Sequence, residues 1–364
     1  MALLAACSTN DEIQTPQQEV SSIDFATYAP TMTRVADNSS SDTKNDLSAH
    51  HTTFKVWGNK TVGTTTTPVF DGQEVSYNDS KWTYDPVRYW DKTARYNFYA
   101  VAPATYGDSQ TEVGWTFNDA TNSFSLTDFT LEGKSLSVSS ELDPGASFKE
   151  VSDVDLMLAH DVTNYSNYGT VALEFDHILS RFNIGVTANA TTAGHTITVD
   201  EVKVYNLKMT GVFNEATQVS NLQNGSTARW TPSGDANTAG MGYSKGTDTQ
   251  DFTTEKFVYR ALVIPQEVAY ENLPLSGPLN TSTAQPYLMV KYTMNYGNNT
   301  TETFTSYYNL AAAFGKTSGQ SLPFNEGWMN TLHITLGPET IEFSGQVNEF
   351  AAQPIVNIPP TNGN

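Results

Sequence analysis

Apolar residues along most of this chain recur at every second position in short runs, the spacing of strands rather than of amphipathic helices. In the first half these runs are FKVWGNK (54–60), KWTYDPVRYW (81–90), RYNFYAVAP (95–103), GWTF (114–117) and VDLMLAHD (154–161), separated by Gly, Asn, Asp and Pro. A second block follows with TITVDEVKVYNLKM (196–209), KFVYRALVIP (256–265), YLMVKYTMNY (287–296), TFTSYYNL (303–310) and TLHITL (331–336). Between the blocks, VALEFDHILSRFNIGV (171–186) changes phase. Val171, Leu173 and Phe175 share one face, then Ile178, Phe182, Ile184 and Val186 share the opposite parity. A bulge near His177 or a strand passing from one sheet to another would produce that shift. Residues 220–254 read as a long surface loop, and LAAAFGK (310–316), closed by Gly315, reads as a short helix.

Before the first block the pattern fails. Ser8 to about His51 is poor in large apolar residues and rich in Ser, Thr, Asn, Asp, Gln and Pro, a composition that cannot fix itself in one conformation. One island interrupts this leader: in SSIDFATYAP, Ile23, Phe25 and Thr27 alternate with Asp24 and Ala26 at strand period.

Length and charge narrow the reading. At 364 residues two domains are the default expectation, and the turn-rich TNYSNYG places the division near Gly169. The expected fold is all-β, two tandem β-sandwiches behind a flexible leader. A formal net charge of −20, from 39 acidic against 19 basic residues, argues against nucleic acid as a partner. No stretch approaches the roughly 18 consecutive apolar residues of a helical membrane span.

The residue types that carry chemistry are scattered. Of six histidines, His50 and His51 fall in the leader, and His160, His177, His195 and His333 fall on or beside expected strands without a ligand motif. Asp153 and Asp155 point the same way from one strand and read as the solvent face of an edge, although a calcium half-site or a hydrolytic carboxylate pair has the same spacing. GMGYSKG (240–246) is spaced too widely for a dinucleotide loop and lacks its strand-to-helix setting. Trp82, Tyr84, Tyr89 and Trp90 could stack on sugar rings, but aromatics this dense usually fill the space between sheets. No catalytic residue, metal ligand or cofactor is therefore expected, and the chain does not read as an enzyme.

Cys7 is the only cysteine, which excludes an internal disulfide and a thiolate metal cage. Leu3 and Leu4 followed by Ala5 and Ala6 look like the end of a secretory signal. Leu4-Ala5-Ala6-Cys7 resembles the lipobox of bacterial lipoproteins, which implies that Cys7 is acylated and holds the protein on lipid.

Together with that lipobox, WDKTARYNFYAVAP (90–103), DVDLMLAH (153–160), FDHILSRFNIGV (175–186) and WMNTLHITLGPETIEFSGQVNEF (328–350) occur in an order that resembles the fimbrillins, subunits of type V pili in Gram-negative anaerobes. The resemblance implies paired transthyretin-like Greek-key sandwiches, a location at the outer membrane and then in a fimbrium, and adhesion as the purpose. It also implies maturation by an arginine-specific protease, with Arg34 and Val35 flanking the cut, and removal of a first strand at Ile23, Phe25 and Thr27. In this scheme residues 1–7 end the signal, 8–34 form the leader, 35–168 and 169–340 form the sandwiches, and 341–364 supply a strand to a neighbouring pilus subunit. Ile341, Phe343, Ile355, Val356 and Ile358 are its candidate donor residues. The strand exchange has independent physical sense, because a sandwich lacking one strand exposes unpaired backbone beside apolar side chains until an extended segment inserts. The partners implied are other subunits, outer-membrane lipid, the protease, and a surface glycan or protein as adhesion target. The alternative is a surface lipoprotein that binds glycans through the Trp82–Trp90 aromatics or residues 220–254 and never polymerises.

Overall fold

The computed structural model describes residues 21–29, 47–49, 51–106, 111–133, 135, 137–140, 154–189, 194–216, 227–247, 250–272, 285–338 and 341–349. The protein is almost all β. Its first strands are β1 (Phe25–Tyr28), β2 (Thr53–Val62), β3 (Thr65–Asn78), β4 (Lys81–Thr83) and β5 (Arg95–Ala102). Short strands β6 (Thr105–Tyr106), β7 (Thr111–Glu112), β8 (Thr116–Asn118) and β9 (Ser123–Thr130) follow, then β10 (Met157–Ala159), β11 (Val162–Tyr165) and β12 (Val171–His177). The remainder comprises β13 (Ser180–Ala188), β14 (Thr196–Tyr205), β15 (Lys208–Asn214), β16 (Trp230–Ala236), β17 (Met241–Ser244), β18 (Lys256–Val263) and β19 (Gln266–Ala269). It closes with β20 (Tyr287–Asn295), β21 (Thr301–Asn309), the single-turn α1 (Leu310–Ala313), β22 (Ser321–Phe324), β23 (Trp328–Leu336) and β24 (Ile341–Glu349).

The largest sheet has the order β1-β12-β10-β5-β2-β3-β4, with β11 also on β5. Three sheets of four strands, β18-β13-β23-β24, β17-β14-β20-β21 and β16-β15-β9-β8, lie beyond it. The first core gathers Ile23, Phe25, Phe54, Phe70, Phe98 and Phe175. Trp57, Tyr99 and Val101 project from the opposite face of β2 and β5 into the second, larger core. Both faces of β5 are thus covered, which explains why RYNFYAVA is apolar nearly throughout instead of alternating.

The phase change at 171–186 is a passage between sheets. β12 ends at His177 in the large sheet, and β13 begins at Ser180 between β18 and β23. Ile178 and Leu179, both buried, make the crossing. Gly169 precedes β12, so β12 still pairs within the large sheet, while β8 and β9 join β15 and β16. The surface loop expected over 220–254 is instead interrupted by two strands. β16 and β17 are outermost in their sheets: β16 carries too few apolar residues to show a period, and β17, where Met241 and Tyr243 alternate with outward Gly242 and Ser244, is only four residues long. Pro232 is tolerated in β16 because that strand is outermost.

β24 sits outermost beside β23 and approaches α1 closely. A Cβ on Gly345 would lie 2.4 Å from Phe314 Cδ1, and Phe314 is fully enclosed. Gly345→Ala is expected to lower stability by about 1–3 kcal/mol through overpacking, read as an earlier urea midpoint, whereas Gly246→Ala changes a site with open space around it and no left-handed backbone to strain.

Candidate functional site

Residues 21–29 are built into the first core rather than laid upon it. Phe25 to Tyr28 pair in parallel with Val171 to Glu174. On the other side the Ile23 N–H donates to the Arg88 carbonyl at 2.9 Å, and the Trp90 N–H donates to the Ser21 carbonyl at 3.1 Å. The Tyr84 hydroxyl donates to the Ile23 carbonyl at 2.6 Å. The segment therefore fills a slot between β12 and the stretch 84–90, with backbone partners along both of its edges.

Its alternation decides which side chains enter the core. Ile23, Phe25, Thr27 and Ala29 are buried, while Asp24 and Tyr28 face outward. The Phe25 ring stands 5.6–6.0 Å from the centroids of Phe54, Phe70, Tyr84 and Phe98. Three of those four contacts are edge-to-face, the arrangement in which ring quadrupoles attract. Thr27 accepts the Leu47 N–H through its hydroxyl at 3.3 Å, and Leu47 is fully buried at the start of a short 3-10 turn, Leu47–Ala49.

Below this turn lies a polar cluster. The His51 N–H donates to the Leu47 carbonyl at 2.8 Å. His177 Nδ1 lies 2.7 Å from Asp155 Oδ2, with both side chains enclosed. Asp155 is thus no solvent-facing edge residue: β12 and β10 turn it inward onto an imidazole, where its charge has a partner. His51 also departs from the solvated loop expected for it. Its Nε2 is sealed from solvent without a partner among the described residues. Burial holds the His51 imidazole down at about 4, well below its ordinary 6.5; Asp155 pulls it back upward and His177 pushes it further down.

The sign of the resulting pH effect follows. Above pH 6.5 His51 is neutral in both folded and unfolded chains. As pH falls from 6.5 towards about 4 the unfolded chain takes up a proton that the folded one refuses, so stability is lost across that window. His51→Leu is expected to remove about 1–3 kcal/mol of the stability difference between pH 7 and pH 4.5, read from urea unfolding at the two pH values.

The remaining sequence-derived candidates are placed as follows. Cys7, Arg34, Val35, Ile355, Val356 and Ile358 lie outside the described residues. Ile341 and Phe343 belong to β24, where they pair with Leu336 and Ile334. Trp90 is inside the first core, stacked on Tyr165 at 5.6 Å, so it offers no face to a ligand. Among the described residues no group of His, Cys, Asp and Glu is arranged to hold a metal ion, and no helix is long and apolar enough to cross a membrane. The slot's far wall, Arg88 to Trp90, lies in the run 81–90 that reads as a strand, of which Lys81–Thr83 forms β4, while the Leu47 turn carries no signal in the sequence because that stretch does not alternate.

Comparison with known proteins gives one family. The model described as "Fimbrillin-like" matches residues 33–349, a span that begins just after the slot-filling segment. No curated protein sequence matches the chain. Among solved structures, a fimbrial protein from Bacteroides vulgatus is similar at 15% identity, covering 91% of this chain and 99% of that one, with a TM-score of 0.46. A candidate cell adhesion protein from Bacteroides uniformis is also 15% identical, covering 90% and 98%, with a TM-score of 0.40. A fimbrial assembly protein from Parabacteroides distasonis is 9% identical, covering 93% and 99%, with a TM-score of 0.35.

Proposed function

The chain belongs to the fimbrillin-like family, and from that premise we propose that it is a pilin-like cell-surface subunit that assembles by exchanging residues 21–29 for a strand of another subunit. The observation that carries this reading is the slot: a segment paired on both edges and buried on one face, joined to the rest of the fold through the stretch that holds Arg34. A cut between Arg34 and Val35 leaves Ile23, Phe25 and Thr27 held by non-covalent contacts alone. Their loss uncovers Phe54, Phe70 and Phe98 together with the free edge of β12, a surface that water penalises on both counts. An extended segment from a neighbour restores ladder and core together. Head-to-tail insertion does not close on itself and yields a filament.

In this reading the leader does three things in turn. Acylation at Cys7 holds the precursor on outer-membrane lipid, residues 21–29 keep it monomeric, and an arginine-specific protease releases both. The donor runs on from β24. Ile341 and Phe343 root it in its own subunit, and Ile355, Val356 and Ile358 are the apolar residues that follow. Adhesion to a surface glycan or protein is the expected use of the filament.

Treatment of the purified chain with an arginine-specific protease should give Val35 as a new N-terminus and a chain whose residues 21–29 can be displaced by an added extended strand. A cut chain from which no added strand displaces residues 21–29 would remove the polymerising role.

A further inference from the structure

Residues 21–29 leave a mould of themselves, and its four inward positions differ in kind. The Ile23 position is fully enclosed and takes an aliphatic chain. At Phe25 four aromatic rings converge on a fifth. Thr27 must also accept a hydrogen bond from the buried Leu47 amide. The Ala29 position is closed around a single methyl group, with 1% of the residue exposed.

Resting on the reading of residues 21–29 as a removable strand, we infer that the slot selects an extended segment running parallel to β12 with an aliphatic, an aromatic, a hydroxyl-bearing and a small residue at alternate positions, and that this segment comes from a different chain. A second copy of this protein offers a poor match. Ile341-Glu-Phe343-Ser-Gly345 suits the first two positions, but those residues are engaged with β23, and Phe343 packs on Tyr308 at 4.6 Å. Residues 351–364, AAQPIVNIPPTNGN, contain no aromatic. Seating Phe350 in the Phe25 position puts Asn348 where Ile23 lies, stranding an amide in an apolar enclosure. Seating Val356 and Ile358 in the first two positions puts Pro360 at the third, where no hydroxyl can receive the Leu47 N–H. Every register of the tail therefore leaves a polar group unpaired or the aromatic position without a ring. Tyr84, Arg88 and β12 bond the occupant's backbone and are blind to sequence, so discrimination falls on these four pockets.

The test uses the full chain nicked after Arg34, with the severed strand still in place, and fluorescent peptides offered in exchange. Four are compared by anisotropy: residues 21–29, the same peptide carrying Phe25→Ala, the same carrying Thr27→Val, and residues 350–364. The unaltered peptide should exchange in, each substituted peptide should bind at least about ten-fold more weakly, and the tail peptide should not bind. A tail peptide that binds as tightly as residues 21–29 overturns the inference. Equal exchange of all four peptides overturns the selectivity while leaving the removable strand intact, and failure of residues 21–29 to exchange from a fully nicked chain sinks both. Should nicking precipitate the protein, the uncut chain gives the same ranking. A graft of VNIPPTN in place of residues 23–29 should lower the unfolding midpoint more than Thr27→Val does, and a graft as stable as the parent overturns the inference.

Discussion

Phe25→Ala in the intact chain is expected to cost about 3–5 kcal/mol of folding stability, a large share of the total a domain commonly has. The removed ring is 7% exposed and meets Phe54, Phe70, Tyr84 and Phe98, which come from β2, β3, β5 and the loop after β4. Elements this far apart in the chain cannot all close on the vacancy, so both the transfer of the ring to water and the residual cavity contribute. Tyr28→Ala, one pleat away and 40% exposed, is expected to cost less than about 1 kcal/mol. Urea unfolding of the two variants side by side checks the pair. Equal midpoints would mean that residues 21–29 merely rest on the fold.

The second large effect belongs to the other core. Arg229, in the turn before β16, grips Glu326, in the turn before β23, through both Nε and Nη2, with side chains 10% and 5% exposed. The Arg229 guanidinium also lies over the Phe213 ring, 5.3 Å from its centroid. Burial pushes the Glu326 carboxyl up more strongly than Arg229 draws it down, which shows how much hydration both charges have given up. Nearby, burial lifts the Glu215 carboxyl to about 7. In such a setting the pair is worth little against two apolar residues of the same shape, but half of it is worse than none. Glu326→Ala is accordingly expected to lose about 3–5 kcal/mol by leaving a guanidinium enclosed without its carboxylate. The double variant Arg229→Met, Glu326→Leu should recover most of that loss, and a double variant as unstable as the single one would contradict the argument.

Where alternation was clean, the sequence announced the structure. Ile23, Phe25 and Thr27 showed their strand and its inward face in isolation, because one side of β1 is core and the other is water. The change of parity between Phe175 and Ile178 likewise announced the crossing from one sheet to the next. What stayed hidden shares a physical cause. β16 carries few apolar residues and looks like a loop, and β17, though Met241 and Tyr243 alternate, is too short a run among glycines to stand out. Asp155 looked solvent-facing because charge is normally a surface property, and only the fold brings His177, from another strand, within 2.7 Å of it. The site was therefore half legible: its plug could be read from periodicity, while its walls are assembled from segments whose proximity no local pattern encodes.

The direction of β1 has a mechanical corollary. A pull directed along β1 would load its rungs to Val171–Glu174 together, in shear. A strand pulled sideways would instead peel one rung at a time. In the assembly proposed above, a segment seated in the same orientation would inherit that resistance at each joint.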